Sequence, residues 1–265
     1  MKILGILNIT EDSFSDGGKF LNPAAALAQA DRLLAEGADI LDIGAASSHP
    51  DAKAVPPEVE IARLASVVPA LHDVGASLSI DTFSPPVQRW ALSQGVDYLN
   101  DIHGFADPAL YPVLAGSNAR LIVMHMVQEA GVATRTDIAP AEIFDRILAF
   151  FEKRLAALTG AGIAPERLIL DPGMGFFLST DPEASLTVLG RLSELAEAFG
   201  LPLLVSVSRK SFLKTLARPD GPGAASVAVE MFAVAQGAGY IRTHAPAPLR
   251  EGLKLLESLE TPNNR

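Results

Sequence analysis

The feature that most constrains the fold is an alternation of short apolar runs with longer amphipathic segments, repeated eight times along the 265 residues. The apolar runs read as buried strands at Ile3–Ile9, Asp39–Gly44, Leu78–Asp81, Tyr98–Asp101, Leu121–His125, Leu168–Asp171, Leu203–Ser208 and Tyr240–His244. Helical patterns follow at Pro23–Glu36, Pro57–Val74, Pro85–Gln94, Pro108–Leu114, Pro140–Thr159, Pro182–Phe199, Ala224–Gln236 and Pro246–Glu260. Eight strand and helix pairs favour a closed barrel of parallel strands over an open doubly wound sheet. We therefore predict the α/β class, with a single (β/α)8 TIM barrel over residues 1–260 and a loose tail at 261–265.

Composition narrows the classes of function. There is no cysteine, which excludes disulfides, thiol nucleophiles and thiolate metal sites. The formal net charge of −10 argues against a nucleic-acid partner, because such binding depends on clustered basic residues. Neither a signal-peptide pattern nor an apolar run long enough to span a bilayer is visible, so we expect no membrane association and a cytoplasmic protein.

Polar residues stand at the end of every predicted strand. In barrels of this type the chemistry lies where strands end and the following loops begin. A polar residue at one strand end is equally well explained by a turn, but polar residues at all eight strand ends favour a functional site. The polar residues at the strand ends are Asn8, Asp42, Asp81, Asn100, Asp101, His125, Asp171, Ser208, Arg209, Lys210, Arg242 and His244.

The strand-end residues divide into an acceptor group and a donor group. Asp81, Asn100 and Asp171 offer mainly acceptors, whereas the last two strands supply basic residues. Arg242 and His244 lie two positions apart and therefore on one face of a strand, in the region where such barrels commonly bind phosphate. The alternative is that the basic residues form a salt bridge across the barrel.

Asp171 also has two interpretations. It follows the buried run Leu168–Leu170 and precedes a Pro-Gly pair. A carboxylate there is either a ligand at the barrel mouth or a cap for the Pro-Gly turn. The polar loops after the first two strands, Thr10–Gly18 and Ala45–Asp51, are predicted to be mobile lids over the mouth, or else simply solvated loops. No His-rich or carboxylate cluster predicts a transition-metal site.

Taken together in barrel order, the strand-end motifs resemble dihydropteroate synthases over nearly the whole chain. The matching motifs are Gly5–Thr10 with Asp12–Gly18, Asp42–Gly44, Ser79–Thr82, Asn100–Asp101, Met124–Met126, Asp171–Phe176, Ser208–Ser211 and Arg242–His244. The resemblance implies condensation of 6-hydroxymethyl-7,8-dihydropterin pyrophosphate with 4-aminobenzoate, giving 7,8-dihydropteroate and pyrophosphate.

The resemblance also implies roles for individual residues. The pterin-binding residues would be Asp81, Asn100, Asp171 and Lys210. Pyrophosphate would be held by Asn8, His49, Arg242 and His244, with Asn8 also a ligand of Mg²⁺, and 4-aminobenzoate by Ser48, Phe176, Phe177 and Ser211. The residues expected to carry catalysis are Asp81, Asp171, Lys210, Arg242 and His244. We expect a homodimer, with the apolar outer helix Ala224–Gln236 as a candidate for pairing.

Several departures from the common family pattern resemble the Sul branch, the sulfonamide-insensitive synthases. The second loop reads Ala45–Asp51 and carries Ser48-His49 in place of a Thr-Arg pair, and Phe177-Leu178 replaces a Gly-Lys pair. A steric wall at Phe176-Phe177 would then distinguish substrate from drug. The alternatives are a pterin-binding methyltransferase type of barrel, and a catalytically silent pterin-binding homologue.

Overall fold

The computed structural model describes residues 1–10, 23–128, 131–216 and 222–260. The tail at 261–265 and the first polar loop beyond Thr10 lie outside the described residues. Within those residues, no helix is long and apolar enough to cross a membrane.

In the described part of the chain, eight parallel strands form one sheet that closes on itself. The strands are β1 (Lys2–Asn8), β2 (Ile40–Gly44), β3 (Leu78–Asp81), β4 (Tyr98–Asp101), β5 (Arg120–Met124), β6 (Leu168–Asp171), β7 (Leu204–Val205) and β8 (Tyr240–Thr243). Their order is β6-β5-β4-β3-β2-β1-β8-β7, and a parallel bridge between Leu170 and Leu203 joins the two ends. The Leu170 amide donates to the Pro202 carbonyl at 2.9 Å across this seam. The predicted (β/α)8 barrel is confirmed.

Helices surround the barrel in the connections between strands. They are α1 (Pro23–Ala35), α2 (Pro57–Ala65), α3 (Val68–Asp73), α4 (Pro85–Ser93), α5 (Tyr111–Ala115), α6 (Pro140–Gly160), α7 (Pro182–Gly190), α8 (Leu192–Phe199), α9 (Ser211–Leu216), α10 (Pro222–Ala235) and α11 (Pro246–Glu260). Short 3-10 turns lie at Pro108–Leu110, Pro165–Arg167 and Gly175–Phe177. Proline occupies the first turn of most of these helices, where its missing N–H costs no helical hydrogen bond.

Two predicted helices are each divided in two. The pattern over Pro57–Val74 breaks after Ala65 and resumes at Val68, because Pro69 has no N–H to donate to a preceding carbonyl and lies instead in the first turn of α3. The pattern over Pro182–Phe199 breaks after Gly190, and Arg191 lies between α7 and α8. Strand β7 is shorter than predicted, since only Leu204 and Val205 pair with β8.

The apolar residues form a large core between barrel and helices and a smaller layer inside the barrel. The inner layer consists of Leu4, Ile40, Ile122, Ile169, Leu204 and Tyr240. At the same level Arg120 donates to the Tyr240 hydroxyl at 2.5 Å, and the rings of Tyr98 and Tyr240 meet edge to face. These side chains fill the amino-terminal end of the barrel, and the polar strand ends lie at the opposite, carboxyl end.

Candidate active site

A cavity of about 350 Å³, its solvent-open mouth included, lies at the carboxyl ends of the strands. It contains seven of the predicted site residues. The residues that line it are Ser48, Asp81, Asn100, Ile102, Met124, Asp171, Gly173, Met174, Phe177, Ser206, Lys210 and Arg242. Parallel strands point their carboxyl ends the same way, which is why residues as distant in sequence as Asp81 and Arg242 meet here.

Arg242 lies at the base of the cavity between two carboxylates. Its Nε donates to Oδ2 of Asp42 at 2.5 Å, and its Nη2 donates to Oδ2 of Asp81 at 2.6 Å. Although burial alone would lower it, the two carboxylates raise the pKa of Arg242 above its ordinary value. The salt bridge across the barrel, which the sequence left open as an alternative, is therefore present. Two of the five guanidinium N–H groups are used in it.

Asp171 caps the Pro-Gly turn and also lines the cavity. Its Oδ1 accepts a hydrogen bond of 2.8 Å from the Gly173 amide, which caps the Pro-Gly turn, and the same side chain lines the cavity. Burial raises the pKa of Asp171 to about 6, while the Gly173 amide and Lys210 oppose the rise. A carboxylate held in this way is oriented by the backbone and retains acceptor capacity for a ligand.

Lys210 supplies the second cation of the cavity. Its Nζ lies 4.5 Å from the centre of the Phe177 ring, within the range of a cation–π contact. Burial and the nearby Arg242 lower the pKa of Lys210 to about 8, against the opposing charges of Asp171 and Asp81. The ammonium group is thus poised to donate to an acceptor at the centre of the cavity.

Asp81 and Asn100 face the same space from neighbouring strands. Burial raises the pKa of Asp81, Arg242 acts against this, and the charge of Asp42 adds to the rise. The Asn100 amide nitrogen lies 3.4 Å from Oδ2 of Asp42, whereas Asn100 Oδ1 is buried without a hydrogen-bond partner among the described residues. An unpaired buried oxygen is costly, and a ligand N–H group would satisfy it.

His244 is placed close to the cavity but is not cationic in this state. Its Nδ1 lies 3.0 Å from the Ser208 hydroxyl. Burial, together with the charges of Arg209, Arg242 and Lys210, lowers the pKa of His244 to about 3. His244 can therefore offer an anion a neutral hydrogen bond, while the permanent charge comes from its basic neighbours. Arg209 itself is exposed.

Asn8 sits at the end of β1, next to Gly44 of β2. A Cβ added to Gly44 would lie 3.4 Å from Asn8 Oδ1 and 3.8 Å from Asp81 Oδ2, so the missing side chain leaves a small space between these two oxygens. Within the described residues, no group of three or more His, Cys, Asp or Glu side chains could hold a metal ion. Oxygen donors of this kind fit Mg²⁺, which commonly takes few protein ligands and completes its shell with water and phosphate.

The second loop contributes Ser48 to the cavity, and His49 lies at its rim. The His49 ring contacts the Phe176 ring edge to face, with 6.2 Å between centroids. Ser211 begins α9 and faces Gly175, where an added Cβ would lie 3.3 Å from the Ser211 hydroxyl. Phe176, His49 and Ser211 are therefore neighbours of the cavity, whereas Ser48 and Phe177 form part of its lining.

The polar end of β4 includes a structural carboxylate. Asp101 accepts hydrogen bonds from the amides of His103 and Phe105, both at 2.8 Å, and from the side chain of Gln88 at 3.0 Å. Phe105 has a φ of 61°, a conformation that is unusual without glycine. Asp101 thus holds the turn after β4 and is not directed to a ligand.

His125, at the end of β5, is also structural. Its Nδ1 lies 3.1 Å from the Pro172 carbonyl, and its ring packs edge to face on Phe150. Burial lowers the pKa of His125 to about 4, so the ring is neutral at physiological pH. The polar residue at this strand end links β5 to the turn after β6.

Five residues of the cavity lining were not among the predicted site residues, and two of them, Gly173 and Met174, belong to the Asp171–Phe176 motif. Ser206 precedes Ser208 by two positions, so the alternation of an extended segment could have placed both on one side. Met124 and Ile102 are apolar and indistinguishable in sequence from core residues.

Fold and site together define a (β/α)8 barrel enzyme whose cavity, at the carboxyl ends of the strands, is lined by both acidic and basic side chains. The chain belongs to the family described as pterin binding enzyme, whose pattern matches residues 4–244.

Relatives whose activity is named narrow the range of functions within this family. The chain is 56% identical over 260 residues to dihydropteroate synthase type-2 of Escherichia coli, covering 97% of this chain and 96% of that protein. It is 53% identical over 260 residues to dihydropteroate synthase type-1 of Escherichia coli, covering 97% of this chain and 93% of that protein. Its fold is similar to that of a Xanthomonas albilineans dihydropteroate synthase solved with 4-aminobenzoic acid, with a TM-score of 0.88, 34% identity and coverage of 98% and 93%. These relatives are synthases, which favours that activity over a methyltransferase.

Proposed function

We propose that this protein is a dihydropteroate synthase that joins 6-hydroxymethyl-7,8-dihydropterin pyrophosphate to 4-aminobenzoate. The observation that carries the proposal is the convergence of Asp81, Asn100, Asp171 and Lys210 in one cavity of a chain more than half identical to a synthase. Each of these residues offers the kind of group that a pterin ring requires.

The pterin would bind by its aminopyrimidinone edge. That edge presents N–H donors, which suit the carboxylate of Asp171 and the unpaired Asn100 Oδ1. Lys210 would donate to the ring carbonyl and to a ring nitrogen. These directional bonds, made in a buried cavity, would fix the plane of the ring and point its methylene group toward the mouth.

The pyrophosphate would lie toward the loops after β1, β7 and β8. Arg242 contributes positive charge and N–H groups not used by Asp42 or Asp81, and His244 contributes a neutral hydrogen bond. Asn8 would hold Mg²⁺, which supplies further neutralisation of the leaving group when bound. His49, at the rim, would reach the same anion from the second loop.

The reaction then needs one bond exchange. The bond between the pterin methylene and the pyrophosphate oxygen breaks, a bond to the amine nitrogen of 4-aminobenzoate forms, and that nitrogen loses one proton to water. Charge developing on pyrophosphate is stabilised by Arg242, and cationic character on the methylene by the nearby carboxylates. No covalent bond to the protein is required, so positioning supplies much of the rate enhancement.

The aminobenzoate ring would bind between Ser48, Ser211 and the two phenylalanines. Phe177 is 7% exposed and its ring lies under Lys210, so it forms a fixed wall. We propose that this wall excludes the bulk that sulfonamides carry beyond the shared ring, which would make the enzyme sulfonamide-insensitive.

A direct assay tests the activity. The protein, Mg²⁺, the pterin pyrophosphate and 4-aminobenzoate are combined, and pyrophosphate and dihydropteroate are measured together. Release of both in equal amounts supports the synthase, and release no faster than without protein would refute it. Repeating the assay with a sulfonamide tests the second proposal: inhibition at concentrations comparable with those of 4-aminobenzoate would contradict insensitivity.

The proposed state of the enzyme in the cell is a cytoplasmic homodimer without nucleic-acid or membrane partners. Analytical ultracentrifugation of the purified protein checks the oligomer, and a single species with the mass of one chain would contradict it.

A further inference from the structure

One segment contacts the loops that follow three other strands. Residues 131–138, which follow β5, are called here the β5 strap. The Ala133 amide donates to the Ser48 carbonyl at 3.1 Å, and the Gly131 carbonyl lies 2.8 Å from Nε2 of His103. On the other side the Thr180 amide donates to the Thr136 carbonyl at 2.8 Å. The strap therefore joins the loops after β2, β4 and β6.

Arg135 is the strap residue that touches both sides of the predicted aminobenzoate subsite. Its Nη1 and Nη2 donate to the two carboxylate oxygens of Asp51, at 2.9 and 2.5 Å, so the ion pair is bidentate. Its guanidinium carbon also lies 5.7 Å from the centre of the Phe176 ring. The hydrogen bond from Arg135 lowers the pKa of Asp51, so both partners are charged at neutral pH.

These contacts place the planar, charged guanidinium of Arg135 between the loop that carries Ser48 and the turn that carries Phe176 and Phe177. Ser48 and Phe177 line the cavity, and the neighbours of each, Asp51 and Phe176, are held by Arg135. A guanidinium can form the flat, two-bond contact with Asp51 and still face an aromatic ring, which a lysine cannot do in the same way.

We propose that Arg135 is a positioning residue for the amine substrate: through Asp51 and Phe176 it fixes the distance between Ser48 and the Phe176-Phe177 wall, and so sets the width of the aminobenzoate subsite. This inference rests on the proposed synthase function. It concerns chiefly the affinity for 4-aminobenzoate, because Asp171 and Arg242, which face the pterin substrate, are held by other contacts, to Gly173 and to Asp42 and Asp81.

Loss of the Arg135–Asp51 pair should change the folding stability little, whereas it should change the affinity for 4-aminobenzoate. The side chains of Arg135 and Asp51 are 51% and 62% exposed, and exposed ion pairs contribute little to folding. Removing the pair should therefore leave a folded enzyme. The effect of removing the pair should appear in the affinity for 4-aminobenzoate, because the width of that subsite depends on the spacing of the two loops.

The test compares Arg135→Ala, Asp51→Ala and the double variant in steady-state assays of the full chain. We expect Arg135→Ala to raise KM for 4-aminobenzoate about two- to fivefold, with kcat and KM for the pterin pyrophosphate changed by less than about twofold. Because Asp51 and Arg135 act as one unit, the double variant should resemble the more affected single variant. High salt should raise KM for 4-aminobenzoate more in the parent than in Arg135→Ala, because only the parent has the exposed ion pair to lose.

Arg191→Ala is the matched control. Arg191 also pairs with an exposed carboxylate, Glu194, at 2.8 Å, and lies over a ring, that of Phe144, at 3.7 Å, but neither it nor Phe144 lines the cavity. Its KM values should equal those of the parent. An active parent whose KM for 4-aminobenzoate is unchanged by Arg135→Ala, or rises equally with that for the pterin, would overturn this inference alone. A parent without synthase activity would overturn the proposed function and this inference with it.

Discussion

Arg242 and Asp42 form an ion pair of 2.5 Å inside the barrel, and the Asp42 side chain is fully buried. The second branch of the guanidinium reaches Asp81 at 2.6 Å. Strands β2, β3 and β8 are therefore tied together by charge directly beneath the cavity. The arrangement leaves Arg242 fixed in place before any substrate arrives, which is the condition for stabilising a departing anion without reorganisation.

The first prediction concerns this ion pair. Asp42→Ala would leave the Arg242 guanidinium buried with one partner missing, and breaking a buried pair in this way typically costs about 3–5 kcal/mol of unfolding free energy. Urea denaturation of parent and variant measures the loss. Glu194→Ala, which breaks an exposed ion pair, serves as control and should leave the unfolding midpoint nearly unchanged. Equal midpoints for Asp42→Ala and the parent would contradict the structural role.

The second prediction concerns the turn that orients Asp171. Gly173 has a φ of 76°, and an added Cβ would lie 2.4 Å from the His125 carbonyl oxygen. Gly173→Ala must therefore shift the backbone, so we expect pterin binding to fall by at least tenfold, as measured by calorimetry. Gly162→Ala is the control: its φ is 88° but nothing lies within 4 Å of the added Cβ, so only a backbone cost of about 1 kcal/mol is expected. Pterin affinity that is equal in both variants would argue against this explanation.

The third prediction is a bell-shaped pH profile for kcat/KM of the pterin substrate, a quantity that reports groups of the free enzyme. Asp171 acts as a carboxylate and has a pKa of about 6, so activity should rise as pH increases through that value. Lys210 acts as an ammonium ion and has a pKa of about 8, so activity should fall as pH increases through that value. Lys210→Arg stays charged and should lose the alkaline limb. An alkaline limb that is unchanged in this variant would assign it to another group.

The fourth prediction uses Glu230 in α10, which is fully buried. Neither carboxyl oxygen makes a hydrogen bond of normal geometry among the described residues, and burial raises its pKa to about 7, with the Thr243 hydroxyl only partly offsetting this. A folded pKa above the unfolded value of about 4.5 gives stability that is complete below pH ~4.5 and is lost as pH rises to about 7. The loss amounts to about 3 kcal/mol at pH 8.

Glu230→Gln removes this titration. The difference in unfolding free energy between parent and variant should change by about 3 kcal/mol between pH 5 and pH 8. The parent should become the less stable of the two, relative to its position at pH 5, as the pH rises. Thermal unfolding at the two pH values measures it, and a difference independent of pH would show that Glu230 does not titrate in this range.

The barrel and the set of residues available to the site follow from local patterns in the amino-acid sequence. The alternation of apolar runs and proline-led helices depends on local periodicity, which is why β3, β4 and β6 were predicted with their observed bounds. Because parallel strands share one carboxyl end, the polar residues that follow them had to come together, and Asp81, Asn100, Asp171, Lys210 and Arg242 do so.

The contacts that each of those residues makes depend on the folded chain. Asp101 and Asp171 both end strands, yet the first is used by the turn after β4 and the second also faces the cavity. The low pKa of His244 and the pairing of Arg135 with Asp51 depend on burial and on contacts between segments distant in the chain. Local periodicity carries no information about such contacts, because charge and burial act through space and not along the sequence.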